Sequence, residues 1–169
     1  MSENAVAYSG VGVESAPERP NAFKTIIFGG LTVGVLDGLS AVVLSAMRGI
    51  SPLRVFQYIA SGLLGRDSFN GGMKTALLGV LLHFVIAFGV ATVFYFASLY
   101  LPVLIRKAVL MGAIYGVVVY WVMQLVVVPL SAVTRPPRTL SGVITQIIIH
   151  ILFVGLPPAL IAKWSAKAE

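Results

Sequence analysis

The chain has 169 residues, of which 58% are hydrophobic and 11% charged, whereas an ordinary soluble domain is about 45–50% apolar and about 25% charged. Twelve Lys/Arg and six Asp/Glu are too few to cover the surface that a soluble domain of this length leaves in water, so lipid must be the solvent for most of this surface. The net charge of +6 is spread singly or in pairs between apolar runs, which argues against a nucleic-acid partner and for headgroup anchoring, and the lack of cysteine excludes disulfides and thiolate chemistry.

Residues 1–21 are rich in Ser, Glu, Gly and Pro and hold no basic stretch ahead of a short apolar core. They are expected to form a disordered tail and not a signal peptide. Residues 22–163 form the transmembrane domain, with a short C-terminal tail over 164–169. Four apolar runs, at about 25–47, 75–101, 108–133 and 140–162, are each long enough to cross about 30 Å of hydrocarbon as a helix. Only the first holds a charge, Asp37. The runs are continuous and not alternating, which argues against membrane β-strands, and in lipid a helix satisfies its own backbone.

Between the first and second runs, Ser51 and Pro52 supply an N-cap and a first-turn proline for a short helix over about 52–64. Leu53, Phe56, Ala60 and Leu63 fall on one face of it and Arg54, Gln57 and Ser61 on the other, so it is expected to lie amphipathically in the membrane interface. Gly71-Gly72 then turns the chain into the second span. The later connections, one turning at Pro102 and one over 134–138, are short, so the spans are expected to pack as an antiparallel four-helix bundle. The Lys/Arg count is six on each side of the membrane and does not orient the protein. Cytoplasmic termini are the expectation, because no signal sequence exports the tail.

Close helix approach in lipid relies on small residues. Gly30, Gly34 and Gly38 repeat every fourth residue in the first span, and Gly112 and Gly116 do so in the third, where the ridge continues to Tyr120 and Gln124. The second span aligns Gly79, His83, Ala87 and Ala91; the fourth aligns Gly142, Gln146 and His150. The polar residues thus share the small-residue ridges and are expected to face the bundle interior.

Asp37 lies ten residues before Met47, His83 ten after Met73 and His150 ten after Leu140. At about 1.5 Å per residue, all three sit about 15 Å from one membrane face. Tyr120 lies near that level, with Gln124 and Gln146 about a turn closer to the face. An ionisable group inside a span is a functional hypothesis by default. Four readings stay open: a structural hydrogen-bonded network, a proton relay or small-solute pathway with a helix break at Pro157-Pro158, a haem b held by His83 and His150 with Gly79 making room for the porphyrin, and a metal held by Asp37, His83 and His150. Ser40, Ser45 and Ser131 have no GxSxG context and no glycine-rich phosphate loop follows a strand, so no enzyme is expected. A faint repeat relates Gly30–Gly34 to Gly112–Gly116 and residues 44–46 to 130–132, but the spacings differ by four residues.

His83 followed by a span and Pro102, Pro129-Leu130 before Thr134 and Pro136-Pro137, and Gln146 four residues ahead of His150 resemble the YagU-like family of small bacterial inner-membrane proteins over roughly the last hundred residues. Gln146 stands where that family tends to carry an acidic residue. The resemblance implies a multi-pass protein of the bacterial inner membrane and no particular chemistry. The expected role is a non-enzymatic auxiliary or structural membrane subunit, without a cofactor, whose partners are the bilayer and a second copy or a larger membrane complex.

Overall fold

The computed structural model describes residues 19–134 and 139–166. The tail over 1–18, the connection over 135–138 and the last three residues lie outside the described residues, so the expectations for a disordered N-terminal tail and for the short connection over 134–138 fall largely outside them too. Four helices are long and apolar enough to cross a membrane: Lys24–Ala46, Gly72–Tyr100, Ala108–Leu130 and Leu140–Ala166, hereafter the first to fourth spans. At 23 to 29 residues each, they reach about 35–44 Å at 1.5 Å per residue. No strand occurs among the described residues.

The helix ends differ from the sequence reading for local reasons. The second span starts at Gly72, whose φ of +59° only glycine takes without strain, so the turn into the helix falls three residues earlier than the apolar run. The third stops at Leu130, because Ser131 is extended with ψ 165°. The fourth begins under a true cap, the Thr139 hydroxyl accepting the Gly142 N–H at 3.1 Å. It runs on to Ala166, where Ser165 accepts the Asn21 N–H at 3.1 Å and pairs with the buried Thr25 hydroxyl at 3.2 Å.

The expected break at Pro157-Pro158 is absent: the fourth span passes through both prolines. Proline has no N–H to give to the preceding turn. The chain answers with a wide π-helical stretch at His150–Gly155, in which the Leu156 N–H reaches back to the Ile151 carbonyl, so the bonding frame changes just before the prolines. A similar stretch, Met123–Val127, precedes Pro129 in the third span.

The first span packs against the second on one side and the fourth on the other, and the third packs on the fourth. Pairings run in opposite directions along each of these contacts. Gly30, Gly34 and Gly38 of the first span face Phe88, Phe84 and His83 of the second. Gly112 and Gly116 of the third face Gly155 and His150 of the fourth, and Gly29 of the first faces Ala91 and Pro158. The buried core falls into two clusters, Val33 with Ala87, Val119 and Val154, and Phe94 with Ile105, Ala108, Ala159 and Ala162. The outward surface is a continuous coat of exposed Leu, Val, Ile and Phe from every span, which only an apolar solvent tolerates.

A further helix, Pro52–Leu64, links the first two spans and continues as a 3₁₀ turn, Gly65–Asn70. Pro52 sits in its first turn, but the Ser51 hydroxyl makes no capping bond; the Ser51 carbonyl takes the Arg54 N–H instead. The helix crosses the second span at Gly79, where any Cβ would strike the Phe56 backbone. Its far end is clasped to the exit of the third span by the Ala132 N–H on the Gly62 carbonyl at 2.9 Å.

Its faces follow the amphipathic expectation only in part: Arg54 is exposed and Ala60 buried, as expected, but three residues differ. Gln57 and Ser61 are 1% and 3% exposed, whereas Leu63 is 65% exposed. The amphipathic reading assumed water on the polar side. Gln57 instead meets polar groups at the start of the second span, Ser61 bonds the Tyr58 carbonyl of its own helix, and Leu63 and Leu64 turn outward.

Candidate functional site

The structure separates the expected polar layer into three unconnected pieces. The His83 Nε2–H donates to the Gly34 carbonyl of the first span at 2.9 Å. A carbonyl can only accept, so Nε2 carries a hydrogen. Gly38 makes the approach possible, since a Cβ there would lie 3.1 Å from that same nitrogen. Phe84 stands edge-on to the ring, with centroids 5.7 Å apart.

His150 turns back on its own helix. Its Nδ1–H donates to the Gln146 carbonyl one turn earlier at 2.9 Å. The ring is held edge-on by Tyr120 of the third span, 5.4 Å between centroids at 82°. Tyr120 is nearly fully buried, and Gly116, one turn before it, lets the third span ride directly on the His150 carbonyl.

Asp37 is half-buried, one turn beyond the core residue Val33. Among the described residues nothing hydrogen-bonds or ion-pairs with its carboxylate; only its backbone carbonyl is used, by the Ser40 hydroxyl at 2.7 Å. Gln124 is half-buried and Gln146 is exposed, and Gln146 contributes its carbonyl and not its amide. The expectation that Asp37 and the two histidines satisfy one another is therefore corrected: equal depth does not bring side chains together when they point to different sides of their helices. Among the described residues no three His, Asp or Glu side chains gather closely enough to hold a metal ion. The room expected for a porphyrin beside Gly79 is filled by the Phe56 backbone.

The densest polar cluster lies elsewhere, where the linking helix meets the second span. Gln57 Nε2 donates to the Gly72 carbonyl at 3.1 Å and to the Thr75 hydroxyl at 3.4 Å, and that hydroxyl donates to the Ser68 carbonyl at 2.6 Å. Gln57 Oε1 and Ser68 Oγ are buried without a protein partner. Arg54 lies over the Phe69 ring and donates to the Phe69 carbonyl at 3.4 Å, which closes the 3₁₀ turn over the cluster. A second missed residue is Tyr115, whose hydroxyl donates to the Val90 carbonyl at 2.7 Å and whose ring meets Phe94 edge-on, joining the second and third spans through side chains. The sequence signal for both was present: a glutamine, two hydroxyls and a tyrosine among apolar neighbours.

Chemically, this arrangement binds helices. Each histidine spends one nitrogen on a backbone carbonyl, and no acid, base and open volume converge among the described residues. No family model matches the chain, and comparison with curated proteins and with solved structures gives no match.

Proposed function

We propose that this chain is a non-enzymatic multi-pass membrane protein, an auxiliary or structural subunit whose buried polar side chains lock its helices together. In this reading the four spans form an antiparallel bundle, the linking helix Pro52–Leu64 sits at one membrane interface, and the bundle works beside a second copy or a larger membrane partner. The resemblance of the last hundred residues to YagU-like proteins supports the bacterial inner membrane as its location, with both termini in the cytoplasm.

The observation that carries the reading is the His83 bond to the Gly34 carbonyl across two spans. This bond spends Nε2 in a glycine-lined helix contact of the kind that joins helices in lipid, and no polar partner meets the other ring nitrogen among the described residues. Two measurements on purified protein test it. Proton flux into proteoliposomes is expected to be the same for wild type and Asp37→Asn, and the visible spectrum is expected to be featureless. A flux that depends on Asp37, or a Soret band abolished by His150→Ala, overturns the reading.

A further inference from the structure

A shallow groove of about 200 Å³ opens on the outer surface between the linking helix and the second span. Pro52, Leu53 and Phe56 form one wall and Met73, Ala76, Leu77 and Val80 the other. Every lining residue is apolar. Met73 and Leu77 are 65% and 62% exposed, so the groove faces the same medium as the lateral surface of the spans. It follows the second span for two turns inward from Met73, about 10 Å at 1.5 Å per residue. That is the direction and the depth of a lipid acyl chain descending from the headgroup level.

One cation, Lys74, adjoins the groove in the chain. Residues 47–74 carry Arg48, Arg54, Arg66 and Lys74 against a single acid, Asp67. Lys74 directly follows Met73, is exposed and has no partner among the described residues.

We infer that this groove is a site for an anionic phospholipid, with one acyl chain seated between Leu53, Phe56, Leu77 and Val80 and the headgroup phosphate paired with Lys74. A zwitterionic lipid offers the same chain but compensates its own phosphate, so it gains less from the lysine. A cation near an anionic lipid surface is worth about 1 kcal/mol, or about fivefold in occupancy.

The test uses the full chain, purified in detergent and incubated with equal amounts of phosphatidylglycerol and phosphatidylcholine, with retained lipid read by native mass spectrometry. Wild type is expected to retain about fivefold more phosphatidylglycerol. Lys74→Gln is expected to equalise the two lipids, Val80→Trp to remove the retained lipid, and Leu125→Trp, on the exposed face of the third span, to leave it in place. Equal retention by wild type, or full retention by Val80→Trp, overturns the inference. A phosphatidylglycerol carrying a photoreactive acyl chain gives an independent readout on wild type. Adducts concentrated on residues 52–56 and 73–80 support the site, and adducts distributed over all four spans overturn it.

Discussion

Two contacts in this protein use glycine in different ways. Between the first and second spans, Gly30, Gly34 and Gly38 admit side chains: the rings of Phe88, Phe84 and His83 lie in the groove their missing Cβ atoms leave. Between the third and fourth, Gly112, Gly116 and Gly155 admit backbone, with the Gly155 Cβ position falling on the Gly112 carbonyl and that of Gly116 on the His150 carbonyl. The first contact can yield by rotating a ring. The second can yield only by moving a helix. Identical spacing in a sequence therefore encodes two levels of tolerance, set by what stands opposite.

That contrast is open to measurement by unfolding in mixed micelles. The largest effect is expected at the backbone contacts: Gly116→Ala and Gly155→Ala each destabilise by about 3 kcal/mol or more, at the upper end of overpacking costs. Gly79→Ala, set against the Phe56 backbone, belongs with them. Gly34→Ala is expected to cost about 1–2 kcal/mol, because Phe84 can turn aside. A loss as large as that of Gly116→Ala erases the distinction between the two contacts.

Smaller effects sharpen it. His83→Ala removes an interhelical bond and is expected to cost about 1 kcal/mol, within the range of such bonds in lipid. A helix-association readout, such as proteolysis between the first two spans, is expected to change with it. His150→Ala is expected to cost about half as much and to leave association unchanged, because its bond stays within one helix. If the two histidine variants behave alike, the partners described here are not what distinguishes them.

The spans were legible because an apolar run of that length has one stable form in lipid, and no packing detail is needed to see it. Their ends were not, because Gly72, Thr139 and Ser165 set them through a turn, a cap and a contact with Thr25 that lie outside the apolar pattern. Depth was readable by counting along the helix, so Asp37, His83 and His150 were placed at one level. Direction around the helix was not, since a rotamer chooses among partners, and His150 found a carbonyl one turn back on its own chain. The linking helix misled in a further way. Amphipathicity gives two faces without saying which medium each meets, and here the Gly72 carbonyl and Thr75 outcompeted water for Gln57.

The seam between the first and fourth spans bears on how the protein is made. Val33 shares a core cluster with Val154, Gly29 lies against Pro158, and Thr25 pairs with Ser165, so the earliest helix to leave the ribosome finds part of its packing surface on the last. Until that final segment enters the bilayer, the first hairpin waits with the side of the first span that meets the fourth still uncovered.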